Sequence, residues 1–149
     1  MSEALTENEK TILSKVFEGD FPPFKVLSKQ VDYLHVKSRR KKDQTYSVEF
    51  GIENKQIHLV KGLEENIEVG DTLFQILESS VNFYISVTVM YGVIRWLQIG
   101  ADYKFENDLT LKNIFWSNRN DDPLKEGTLV YDASERDYKK AIGYIPMYK

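Results

Sequence analysis

Two histidines and the carboxylates near them are the residues of this chain whose types could support chemistry. Imidazole nitrogens and carboxylate oxygens bind zinc and similar metals, and the same groups serve as general acids and bases. His35 stands between Leu34 and Val36, and His58 between Ile57 and Leu59. In a period-two segment each histidine therefore points away from its apolar neighbours. Glu49 and Glu53 leave the apolar face of their own segment in the same way. His35, Glu49 and His58 on one sheet face are thus candidates for a metal-dependent or small-molecule enzyme. The plainer reading is scattered polar residues on a solvated face, because no tight ligand spacing accompanies them. No bound cofactor is expected.

Other chemistries find less support. There is no Gly-x-Ser-x-Gly elbow, the eight glycines are dispersed without a Gly-x-Gly, and there is no cysteine. Those features argue against a serine nucleophile, a phosphate-cradling loop, a thiolate zinc site and a disulfide scaffold. Glu64-Glu65 and Asp121-Asp122 are adjacent carboxylates in polar stretches, where solvation is the ordinary role. The basic run Arg39, Arg40, Lys41 and Lys42, with Tyr33 and Tyr46 nearby, could hold phosphates and stack bases. A lone basic turn in an otherwise acidic chain lacks the extended positive face of a nucleic-acid binder, and an acidic protein partner suits it as well.

The bulk properties narrow the class. At 149 residues the chain fits a single domain spanning 1–149, and a domain of that size buries roughly 68–70% of its unfolded surface without staples. Twenty Lys plus Arg stand against 23 Asp plus Glu, a net charge of −3 that gives no general attraction to nucleic acid or anionic lipid. Aromatic residues make up 13% of the chain, enough bulky surface to drive folding. Met1 to Glu7 is acidic and polar, unlike a signal peptide, and Glu78, Asn82, Arg95 and Gln98 interrupt the most apolar region. The expectation is a cytoplasmic protein with no membrane span.

The elements that position these residues follow from periodicity. Thr6 and Glu9 have capping-box spacing, and Ile12, Leu13, Val16 and Phe17 recur as one helical face before Gly19. Pro22-Pro23 suits the first turn of a second helix to Gln30. From Val31 the period becomes two, through Leu34 and Val36, then Tyr46, Val48, Phe50 and Ile52; Gln56–Val60 and Thr72–Leu77 are further apolar segments. Val81, Phe83, Ile85, Val87 and Val89 alternate with polar residues, and Val93–Ile99 returns after Gly92. A Tyr91-Gly92 loop sets Val89 opposite Ile94, Val87 opposite Trp96 and Ile85 opposite Gln98. Trp96 then faces the core, while Tyr84, Ser86, Thr88, Arg95, Leu97 and Ile99 form a partly apolar outer face. A longer loop, suggested by the poor fit of Tyr to positive φ, would shift that register.

Phe17-Glu18-Gly19-Asp20-Phe21-Pro22, Tyr46–Gly51 and Gly92-Val93-Ile94-Arg95-Trp96-Leu97 resemble segments of a group of small bacterial α+β proteins of unknown function. The resemblance spans roughly residues 10–105. It implies an N-terminal helical pair, a hairpin and a closing pair of strands, and it brings no activity. Gln98-Ile99-Gly100 departs from the acidic residue, glycine and aromatic expected there.

The expected architecture is a single α+β domain: a helical pair over 1–30, a mostly antiparallel sheet of about five strands over 31–105, and an irregular extension over 106–149, in which Thr128–Tyr131 could give an edge strand and Ser134-x-x-Asp137 could start a short helix through Ile142. The expected function is non-enzymatic binding of a protein partner, of which a bacterial immunity protein is one type, or self-association as a dimer. The candidate interface is Tyr84, Arg95, Leu97 and Ile99, with the Arg39–Lys42 loop as a second contact.

Overall fold

A computed structural model describes residues 3–42, 44–52, 66–77, 79–100, 110–118, 123–125 and 127–144. Helix α1 (Glu7–Val16) begins as the sequence expects. Thr6 accepts from the Glu9 backbone N–H at 3.1 Å, and the Glu9 carboxylate accepts from the Thr6 N–H at 2.9 Å. Its Ile12, Leu13 and Val16 are buried. Helix α2 (Pro22–Gln30) starts on its two prolines, buries Phe24, Leu27 and Gln30, and runs into a short 3-10 turn at Val31–Tyr33.

The sheet departs from expectation. Among the described residues it has eight strands rather than five: β1 (Leu34–Lys42), β2 (Thr45–Ile52), β3 (Ile67–Ile76), β4 (Ser79–Met90), β5 (Val93–Gly100), β6 (Leu111–Ser117), β7 (Leu129–Val130) and β8 (Ile142–Tyr144). They lie in the order β1-β2-β5-β4-β3-β6-β7, with β8 pairing β3, and every pairing is antiparallel. A third short helix, α3 (Tyr138–Ala141), precedes β8, so the helices are not confined to the N-terminus. The α+β picture of two helices on five strands with an irregular extension is therefore overturned. The protein is a broad antiparallel sheet carrying short helices, and the segment expected to be mostly irregular adds two unforeseen strands, β6 and β8, to the edge strand β7.

Physical reasons account for the missed strands. In β6, Phe115, Trp116 and Ser117 are consecutively buried, so both faces are covered and no alternation marks the strand. β7 falls within Thr128–Tyr131, the segment expected to give an edge strand, whereas β8 spans three residues, too short for a period to register. In β3 the pairing with β4 shifts between Val69 and Thr72. Gly70 and Asp71 form a bulge there, which breaks the alternation where β3 exchanges neighbours, from β8 to β6. Gln56–Val60 lies outside the described residues.

The core lies between α1, α2 and one sheet face. Val48, Phe50, Phe83, Val87, Leu97 and Ile99 meet Ile12, Leu13, Val16, Phe24 and Leu27 there, all nearly inaccessible to solvent. The β4–β5 turn decides which residues belong to that face. Tyr91 and Gly92 take φ of 52° and 78°, as a two-residue turn with two positive φ values requires. Two buried side chains hold it. Asn66 accepts from the Tyr91 N–H at 2.8 Å, while Gln30 donates to the Gly92 carbonyl at 2.7 Å and accepts from the Ile94 N–H at 3.0 Å.

The short loop is thus present, yet the register beyond it differs from the expected one. Val89 pairs with Ile94, but Thr88 pairs with Trp96, which leaves Arg95 as an extra residue. From that bulge onward every side chain changes face. Val87 lies opposite Leu97 and Ile85 opposite Ile99, so Leu97 and Ile99 are core residues and Trp96 faces outward. The partly apolar reverse side expected from Leu97 and Ile99 is not what the sheet presents.

Candidate functional site

The buried ionisable groups are engaged in structural networks. Glu9, fully buried at the start of α1, receives Arg39 Nε at 2.9 Å, Arg39 Nη2 at 2.8 Å and the Tyr46 hydroxyl at 2.9 Å. Burial alone would push its carboxyl upward. The hydrogen bonds from Arg39, the Thr6 backbone and Tyr46, with the Arg39 charge, outweigh that and hold it below the usual carboxylate range. The hydrogen bond to Glu9 raises Arg39 further above its ordinary value.

A second network ties the C-terminal segment to the sheet. Arg136 donates from Nε and Nη2 to the Asp71 carboxylate at 2.8 and 2.7 Å, and from Nη1 to the Glu18 carbonyl at 2.9 Å. Both side chains are wholly buried, and the guanidinium lies 4.9 Å from the Phe24 ring centre and 5.1 Å from that of Trp116. The β3 bulge delivers Asp71 to this position. Gly19 has no Cβ because the Tyr138 hydroxyl occupies that space, and the Tyr138 ring stacks on Phe21.

The solvated side of the sheet is different. Strand register arranges it in three rows. The first runs Lys42, Thr45, Gly100, Tyr84; the second Arg40, Ser47, Gln98, Ser86; the third Ser38, Glu49, Trp96, Thr88, Glu68. Three adjoining depressions of about 320 to 340 Å³ lie along it. One is lined by Ser38, Arg40, Ser47, Glu49, Trp96 and Gln98, one by Arg40, Lys42, Thr45 and Ser47, and one extends past Gly100 and Tyr84 to Glu68. A Cβ at Gly70 or Gly100 would meet open space. Trp96 is 39% exposed and Tyr84 43%. Ser86 donates to Glu68 at 2.7 Å. Arg40, Lys42, Thr45, Ser47, Gln98 and Trp96 make no side-chain hydrogen bond or ion pair with other described residues. An arrangement of this kind can present donors, two cations and an aromatic plate to a ligand.

The sequence-derived candidates divide accordingly. Tyr84 is on this face, Arg95 is the half-buried bulge residue, and Leu97 and Ile99 are in the core. The basic run does not act as one patch. Arg39 turns inward to Glu9, Glu3 and the Ala4 carbonyl, and Lys41 lies 6.0 Å from the Tyr46 ring, leaving Arg40 and Lys42 outward. His35 and Glu49 do share the outer face of neighbouring strands, His35 lying over Gly51, where a Cβ would approach its Nε2 to 2.6 Å. His58 lies outside the described residues, and among those described no three His, Asp or Glu side chains gather as a metal-holding group. Trp96, Gln98, Thr45 and Ser47 escaped the sequence reading. Strand alternation carried the signal for the last two, while Trp96 and Gln98 needed the bulge. Among the described residues no helix is long and apolar enough to cross a membrane.

No family model, curated protein or solved structure matches the chain.

Proposed function

We propose that this chain is a non-enzymatic binding protein, of the general type of a bacterial immunity protein, that presents the solvated side of its sheet to another protein. The observation that carries the reading is the contrast between the two sides. Glu9, Arg39, Asp71 and Arg136 are bound up inside, whereas Arg40, Ser47, Gln98 and Trp96 stand outward in register without partners among the described residues. Aromatic and arginine side chains are the groups enriched in protein interfaces. A cytoplasmic setting accords with a cysteine-free chain.

The test is affinity capture from the source cell with four variants of the full chain. Trp96→Ala and Ser47→Arg alter the outer face, and Tyr33→Ser and Leu124→Ser alter exposed residues elsewhere. A partner retained by the wild type and the last two, but lost by the first two, is the expected result. Retention by all four variants, or no captured partner at all, would overturn the proposal.

A further inference from the structure

We infer that the partner is an acidic protein surface, one of whose carboxylates sits among Arg40, Lys42, Thr45 and Ser47 while an apolar neighbour covers Trp96. The inference rests on the binding-protein reading and names the chemistry that the face recognises. Arg40 pairs with Ser47 and Lys42 with Thr45, so two cations and two hydroxyls occupy the corners of one patch. Strand spacing of about 4.8 Å and an alternate-residue spacing of about 7 Å make that patch the size of one or two carboxylates. The four side chains line a single depression of about 340 Å³. Gln98 continues the Arg40–Ser47 row, and Trp96 follows one row away, opposite Glu49.

Charge distribution selects the occupant. A carboxylate on a protein needs only local positive charge, and Arg40 and Lys42 supply it: neither is ion-paired with a described acid, and Glu49, which shares a depression with Arg40, lies one row away. A phosphodiester chain crossing the sheet would meet Glu49 beside Trp96 and Glu68 at the far end of the same row. The chain's net charge of −3 adds no steering for a polyanion. An acidic side chain flanked by an apolar one matches two adjoining rows, because the carboxylate meets Arg40 in one while Trp96 in the next gains contact area.

The probes are an end-blocked Glu-Leu-Glu-Leu-Glu peptide, its Lys-Leu-Lys-Leu-Lys counterpart and a short oligothymidylate, each titrated into the isotope-labelled full chain. The acidic peptide should shift the amides of Arg40, Lys42, Thr45, Ser47 and Gln98 and the indole N–H of Trp96. The shifts should weaken as ionic strength rises from about 0.01 M to about 0.15 M, where the Debye length falls from about 30 Å to about 8 Å. Arg40→Gln/Lys42→Gln should lower the affinity at least about tenfold at low salt, two close cations having been removed. The wild-type shift map stands as evidence whether or not that variant folds. Equal binding of the lysine peptide, shifts elsewhere, no shifts, or a stronger response to oligothymidylate would overturn the inference. A captured partner lost by Trp96→Ala but kept by Arg40→Gln/Lys42→Gln would overturn the carboxylate site and leave the binding-protein reading intact.

Discussion

Arg136 shows how much one side chain can organise. Its guanidinium joins β3 through Asp71, the end of α1 through Glu18, and a box of Phe24, Trp116 and Tyr138. Arg136→Met leaves a buried carboxylate without its counter-ion and should cost about 3–5 kcal/mol in urea unfolding. Asp71→Leu/Arg136→Met removes both charges and should recover most of that loss, because two apolar groups replace a desolvated pair. Glu9 makes a companion prediction with a sign. Its carboxyl is lower in the folded chain than in the unfolded one, so its contribution is complete above the unfolded value. It is lost as pH falls through the depressed folded value. Urea midpoints followed downward from pH 6 should therefore decline through the acid range, and Glu9→Gln should flatten that decline. The Thr6–Glu9 cap was legible in the sequence because both partners lie three residues apart. The Glu9–Arg39 and Asp71–Arg136 pairs were not, being 30 and 65 residues apart with no local pattern to connect them.

At the level of elements, the decisive feature is the bulge at Arg95. Alternation correctly located β4 and β5, and the Tyr91-Gly92 loop formed despite the unfavourable φ of Tyr91, since Asn66 and Gln30 secure the turn. One inserted residue then exchanged inside for outside. Nothing in Val93–Ile99 announces it: Ile94, Leu97 and Ile99 are equally apolar, and Trp96 has no less claim to a core position than Leu97. The structure predicts opposite costs for neighbours in sequence. Leu97→Ala should destabilise by about 2–5 kcal/mol as a cavity in a packed interior, whereas Trp96→Ala should change thermal stability by well under that. Leu97→Asp should unfold the chain, and sedimentation of the soluble fraction would show no specific change of oligomeric state.

Across the whole molecule, the segment after β6 completes the sheet. β8 covers β3 at Ile67–Val69, beside the place where β6 takes over, and Tyr138 and Arg136 press the same segment against α1 and α2. Truncation before Leu129 should expose that β3 edge, and light scattering should report aggregation, since an uncovered apolar strand edge recruits other strands. The covered side of the sheet is then a sealed core, and the remaining side is the broad polar surface on which the binding proposal stands. That division depends on Trp96 pointing outward and Trp116 inward, and the two tryptophans allow it to be measured. Acrylamide quenching of single-tryptophan variants is the direct test. Trp116→Phe, which keeps only Trp96, should be quenched readily, and Trp96→Phe, which keeps only Trp116, should be strongly shielded. Strong shielding of Trp96 in the folded chain would put it back in the core and contradict both the register and the proposed binding face.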